Sequence, residues 1–165
     1  LRLDLVLNDF VTSALLTKNI KILSNGKPWR PLIHVTDMAR AFLWASEYNL
    51  SKSNFLAINV GNTEMNYMVE DIAKKVSKQI KGSKYTINKL APSDKRSYMV
   101  DFSKYEMISK FKKPLMNLED SIKDLIKGVK SEKIPINFRK STFIRLNYLR
   151  NLIKRKKINK KLYFI

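Results

Sequence analysis

The sequence predicts an α/β domain, and three observations carry that expectation. Apolar residues recur at helical spacing in several stretches. Short alternating or all-apolar runs stand between them, and glycine, proline and asparagine punctuate the joins. The chain has 165 residues, 44% of them hydrophobic, which is one domain's worth with enough apolar mass for a core.

Taken in order, Asp4 is placed to cap a first helix in which Val6, Phe10 and Ala14, with Leu7, Val11 and Leu15 beside them, make a broad apolar face. "IKILS" alternates as a strand, Asn25-Gly26 is a hairpin turn signal, and "WRPLIHV" reads as the returning strand. Pro31 has no N–H to give to a ladder, so this strand is an edge or begins there. Thr36 caps the next helix, and Asp37 in its first turn suits the helix dipole. Met38, Ala41, Phe42 and Ala45 form the predicted buried stripe of that helix.

"FLAINVG" is nearly all apolar and reads as a strand covered on both faces, as in a parallel sheet. Asn66 then caps a helix reaching about Ile80, with Val69, Ile72, Ala73 and Val76 inward, and "KYTINKL" alternates as another strand. "APSDKRSYMVDF" is a loop running into a short strand. Ser103 with Glu106 makes a capping box for "KYEMISKF", Pro114 stops the chain there, and Asn117 opens a compact helix through about Val129.

Composition shifts after Glu132, the last acidic residue. Residues 1–130 read as the domain, 131–140 as a linker and 141–165 as a basic amphipathic helical tail. In the tail Phe143, Leu146, Leu149 and Leu152 or Ile153 make one stripe, while Arg145, Arg150, Lys154, Arg155, Lys156 and Lys157 make most of the rest basic. Such a helix can pack on its own domain, lie on a membrane surface or bind a partner. A free helix of this length is marginal in water. The expectation is therefore that it docks on its own domain or a partner subunit with its lysines in solvent, and membrane contact is the rival.

Lys and Arg total 33 against 14 acids, a net charge of +19. That balance suggests nucleic acid or an anionic surface. Lysine, however, far outnumbers arginine, Asn and Ile are abundant and glycine is down to 4, the bias of an AT-rich coding sequence, which needs no partner. No helix-turn-helix, RNP-like or zinc pattern is present, so no specific nucleic acid is expected, although a basic nucleic-acid-binding or membrane-surface module stands as the alternative function. The chain has no cysteine, which excludes disulfides and thiolate metal sites, and a single histidine, His34, argues against a protein-only zinc site. No run nears the length of a membrane span and no signal-peptide pattern opens the sequence. The expectation is a cytoplasmic, metal-free protein, and Leu1 at the first position reads as a chain with something before it.

Three polar residues stand out. Arg30 lies between Pro28 and Pro31, which fix φ and restrict their neighbours. A guanidinium held in that way offers a planar fork of donors to two phosphate oxygens; the competing reading is a surface arginine after a hairpin. Arg96 stands where a polar loop becomes a strand, with Asp94 placed to hold it, and a solvated loop charge is the alternative. Asn8, in the first turns of a helix, can add a donor to an anion-friendly terminus or simply be a polar surface position. His34 has no local Ser or Asp relay and reads as a structural histidine. The chain contains no Gly-x-x-Gly-x-x-Gly loop, and no catalytic or cofactor-binding residue is assigned.

The blocks "DLVLNDF", "IKILSNG", "PWRPLIHVTDMARAF", "FLAINVGN" and "DKRSYMVDFSKYEMI", in that order, resemble the second half of an extended short-chain dehydrogenase/reductase. More narrowly they resemble the NAD-dependent epimerase/dehydratase family acting on nucleotide sugars, over roughly residues 1–130. The resemblance implies the C-terminal part of a Rossmann-like fold, a small α/β substrate domain with the last sheet strands and a basic C-terminal helix. It implies the substrate-binding half of an epimerase or dehydratase, inactive alone. The missing half would hold NAD or NADP and the Tyr-x-x-x-Lys chemistry. The implied partners are a nucleoside-diphosphate sugar and, in the complete enzyme, a second copy in a homodimer. By position, Asn8 matches a helix asparagine near the diphosphate, Arg30 the diphosphate-binding arginine before the His-Val-x-Asp block, and Arg96 an arginine at the nucleotide end. Ile22 matches a strand residue that packs on the nucleoside base, and Asp37 and Ala41 match structural positions.

Overall fold

The computed structural model describes residues 1–49, 55–91, 96–111 and 113–165. Its elements run α1 (Val6–Thr17), β1 (Asn19–Ile22), β2 (Trp29–Pro31), α2 (Val35–Glu47), β3 (Asn66–Met68), α3 (Val69–Gln79), β4 (Lys84–Ile87), α4 (Ser103–Ser109), α5 (Leu118–Ser131) and α6 (Arg145–Lys154). They fall into two compact units. One comprises Leu1–Lys21, Val76–Thr86 and Ile122–Ile165, the other Ile22–Lys75 and Ile87–Ser121.

In the first unit α1 buries Leu7, Phe10, Val11 and Ala14, as its spacing demands. Asp4 does not cap it. Its carboxylate accepts from Arg2 Nε at 2.8 Å, Leu5 occupies the cap position, and Lys18 ends the helix in the left-handed region at φ 54°. The segment predicted as a linker is pinned instead. Phe138 is buried, and Arg139 grips Asp9 with Nε at 2.8 Å and Nη2 at 2.6 Å, while Nη2 also reaches Ser13 Oγ at 3.0 Å. The tail therefore belongs to this unit. Its α6 lies on the surface with Phe143, Leu149, Leu152 and Ile153 half-buried and Leu146 exposed. Leu3 N–H donates to Phe143 O at 3.1 Å, and the Asn147 amide donates to Arg139 O at 3.0 Å.

In the second unit β2 and β3 pair antiparallel, with Trp29 opposite Met68, Arg30 opposite Tyr67 and Pro31 opposite Asn66. β1 pairs with β4. Lys84 N–H donates to Lys18 O and Asn88 N–H to Ile22 O, bonds that advance in step as in a parallel pair. The predicted β1–β2 hairpin is thus not formed. Asn25-Gly26 does turn the chain, with Gly26 at φ 81°, but Gly26 O accepts from Glu70 N–H at 3.0 Å. The turn hands the chain to the start of α3 and not back onto β1.

"FLAINVG" forms no strand. Exposure alternates along it and Phe55 is 77% exposed, so it is covered on one side at most and the parallel-sheet expectation built on it is corrected. The predicted strand before α4 is also absent. There the Asn66 side chain takes the place of a ladder, donating to Val100 O and accepting from Val100 N–H, each at 3.0 Å. Asn66 is therefore not the cap of α3. The described strands make two two-stranded sheets.

The helices divide sharply. α3 buries Val69, Ile72, Ala73 and Val76 as predicted, but α2 turns Met38 and Phe42 to solvent at 43% and 72% exposure, with Ala45 exposed as well. The covered side of α2 is Asp37 and Ala41. Asn117 caps α5, its Oδ1 accepting from Asp120 N–H at 2.9 Å. The Ser103–Glu106 capping box does not form. Asp101 Oδ1 accepts from Ser103 N–H at 2.9 Å, and Glu106 accepts from Thr63 N–H at 2.7 Å.

Candidate anion-binding site

Arg30 sits in the middle of β2, where three features fix its backbone. Pro28 O accepts from Val69 N–H at 2.9 Å, Trp29 N–H donates to Ser97 Oγ at 3.0 Å, and Pro31 closes the strand. The side chain is fixed as well. Nη1 donates to Trp29 O and to Arg96 O, both at 2.7 Å. Two carbonyls on one nitrogen set the plane of the guanidinium, which is half-buried. This contact brings two of the sequence-selected residues together, since Arg96 is exposed on the segment whose carbonyl holds Arg30. Asp94, proposed to hold Arg96, lies outside the described residues.

Tyr67 stands across the ladder from Arg30. Burial pushes its phenol above the ordinary value, while the Lys75 ammonium, 5.7 Å from its ring centroid, pulls the other way. Lys75 is paired with Glu119, whose hydrogen bond raises the ammonium and lowers the carboxyl. Tyr67 and Ser97 were not selected from sequence as parts of this site. Only the strand register and a contact between distant segments reveal them.

The other two selected residues are placed differently. Ile22 is 2% exposed, a core side chain with no face to offer a nucleoside base. Asn8, in the first turn of α1, donates from Nδ2 to Arg2 O at 2.8 Å, which ties it to the chain just before the helix. His34 caps α2 in place of Thr36, its Nδ1 accepting from Thr36 N–H at 3.3 Å and meeting Thr36 Oγ1 at 2.8 Å. The ring is a structural one, as the sequence suggested.

Beside His34, Asp37 and Arg40 form a knot. Asp37 accepts from Leu115 N–H at 2.9 Å, Met116 N–H at 3.2 Å and Arg40 Nη2 at 2.7 Å. Arg40 also donates to Lys113 O at 3.1 Å and lies over the Phe111 ring at 4.2 Å. The cavity next to this knot has a volume of about 10 Å³, room for about one water molecule.

A dinucleotide pyrophosphate is held by backbone N–H groups in a glycine-rich turn that opens a helix. The four glycines stand apart, at 26, 61, 82 and 128, and form no such turn. The glycines therefore supply no such turn, and no residue of the chain is assigned to the cofactor.

The comparisons bear on the fold. A family model described as the NAD dependent epimerase/dehydratase family matches residues 3–61. No curated protein matches the chain. Among solved structures, UDP-glucuronic acid 4-epimerase from Bacillus cereus, in complex with UDP-glucuronic acid and NAD, aligns over 78% of this chain at 21% identity with a TM-score of 0.60. A tyrosine-to-phenylalanine mutant of that enzyme, with UDP-4-deoxy-4-fluoro-glucuronic acid and NAD, aligns over 78% at 22% identity with a TM-score of 0.62. The chain spans 40% of the length of each of these structures. These matches correct the expectation of a C-terminal remnant, in fold class and in function alike. The family model begins at residue 3 and the likeness runs over most of the chain, so the reading of the chain as a half defined by a missing cofactor region is withdrawn. The likeness is to an NAD-dependent epimerase/dehydratase fold.

Proposed function

We propose that the chain serves an NAD(P)-dependent enzyme acting on a nucleoside-diphosphate sugar, as an epimerase or a dehydratase, and that Arg30 and Arg96 hold the diphosphate. The observation that carries this reading is the double anchoring of Arg30. Its backbone is clamped in the β2–β3 ladder and its Nη1 is held on Arg96 O. A guanidinium fixed before its ligand arrives loses little freedom on binding and presents a fork matched to two phosphate oxygens. The family match and the UDP-sugar complexes of the similar structures support the same ligand class. Arg30 and Arg96 contribute position. Fixing the diphosphate fixes where the sugar ring lies, and positioning of this kind can remove several kcal/mol of a barrier. NAD or NADP, when bound, supplies the hydride acceptor.

Calorimetric titration of the chain with UDP and with uridine tests the reading. UDP should bind and uridine should not. Arg30→Ala and Arg96→Ala should each weaken UDP by about tenfold to a hundredfold, the worth of a lost charged hydrogen bond, with the melting temperature nearly unchanged. No UDP binding, or equal binding by the chain and both variants, would overturn it.

A further inference from the structure

The segment after α6 is not a frayed end. Lys157 N–H donates to Leu152 O at 3.0 Å, and Ile158 is buried and forms an antiparallel bridge with Phe164. Asn159 ties the turn. Its N–H donates to Tyr163 O at 2.8 Å, and its side-chain oxygen accepts from Lys161 N–H at 2.9 Å and Tyr163 N–H at 3.1 Å. Ile165 N–H closes onto Lys157 O at 3.2 Å. The result is a small hairpin pinned to its unit by one inward isoleucine.

What this hairpin shows to solvent is unusual. Leu162, Tyr163, Phe164 and Ile165 are 54%, 67%, 89% and 78% exposed. Six of the eight residues from Lys154 to Lys161 are Lys or Arg, against 33 in 165 over the whole chain, and all six are exposed. A compositional drift toward lysine spreads evenly and does not produce that density. Nor does it place four exposed apolar residues on a hydrogen-bonded hairpin beside it.

We propose that residues 154–165 form a peripheral docking surface for an anionic lipid headgroup layer. The basic residues meet the negative surface potential, and the four apolar side chains enter the headgroup–acyl boundary, tyrosine and phenylalanine being suited to that depth. Nucleic acid fits less well. The cations are mostly lysines, and exposed leucine and isoleucine have no use on a phosphate backbone. No helix among the described residues is long and apolar enough to cross a membrane, so the contact is with the surface only. The inference rests on the tail and is independent of the arginine site.

Co-sedimentation of the whole chain with vesicles tests it. The chain should pellet with phosphatidylcholine mixed with phosphatidylglycerol, should not pellet with phosphatidylcholine alone, and should be released as salt screens the charges. Replacing Lys156, Lys157, Lys160 and Lys161 by Gln should lower binding by about fivefold per charge removed. Tyr163→Ser with Phe164→Ser should weaken binding without altering the circular dichroism, because the bridge at Phe164 is made by backbone. The lipid and salt dependence of the unaltered chain decides the question even where a variant fails to fold. Three results would overturn the proposal: no preference for the anionic vesicles, tighter binding to a DNA duplex than to them at equal salt, or self-association that the apolar variant abolishes in a chain that ignores vesicles.

Discussion

Arg30 and Arg40 belong to the same unit and to the same short stretch of sequence, yet they are used in opposite ways. Arg40 meets a carboxylate at 2.7 Å, a carbonyl of a distant segment and an aromatic face, and its side chain is 19% exposed. Its charge is neutralised by Asp37 and its stem is packed. Two hydrogen bonds of Arg30 go to backbone carbonyls, which orient its guanidinium. A buried ion pair stabilises one arrangement of the chain, whereas the role proposed for the oriented Arg30 guanidinium is to meet a diphosphate. Arg139 falls with Arg40, because its fork is closed on Asp9 and that pairing holds its pKa above the ordinary value.

The contrast makes graded predictions. The largest effect belongs to Asp37→Ala, which strips Arg40 of its counter-charge and leaves two backbone N–H groups without their acceptor. Loss of one member of a buried pair costs about 3–5 kcal/mol, roughly 10 °C in melting temperature for a chain of this size, and thermal unfolding followed by circular dichroism reads it. Arg139→Ala comes next. That pair is partly exposed, at 43% and 20%, so the loss should be about 1 kcal/mol or less, a few degrees in the same scan. If Arg139→Ala melted as early as Asp37→Ala, the distinction drawn here between buried and surface pairs would be wrong. Arg30→Ala should move the melting temperature least of the three, because its two carbonyl bonds lie on partly exposed backbone and its proposed role is toward a ligand.

The sequence made the arginine frame legible because its cause is local. Two prolines within a few residues of Arg30 are visible without a structure. The atom that orients its side chain, Arg96 O, lies far along the chain, and no periodicity reports it. Capping signals failed for a related reason. Asn66, Ser103 and Thr36 each have the right residue type at a helix start, but Asn66 is taken by Val100, Ser103 follows Phe102 at the cap position with its N–H bonded to Asp101, and His34 caps where Thr36 was placed. Side chains that serve local caps equally well serve long-range partners, and local reasoning cannot choose between them.

The two helices α2 and α3 show the same limit for burial. Both carry apolar stripes at helical spacing. The stripe of α3 is buried, while Met38 and Phe42 of α2 are exposed. Periodicity reports that a face is apolar, not which surface covers it. The strand pairing misled because Asn-Gly predicts a turn correctly while saying nothing about where the chain goes next. Gly26 turns it toward α3.

The central claim is that Arg30 and Arg96 act on one diphosphate, and a double-mutant cycle on nucleoside-diphosphate binding tests it most directly. Binding is measured for the chain, for Arg30→Ala, for Arg96→Ala and for the pair. Two residues gripping one anion are coupled, so the double variant should lose less than the sum of the single losses, by about 0.5 kcal/mol or more. Single losses that add within a few tenths of a kcal/mol, or an Arg96→Ala variant that binds as tightly as the unaltered chain, would contradict the shared site.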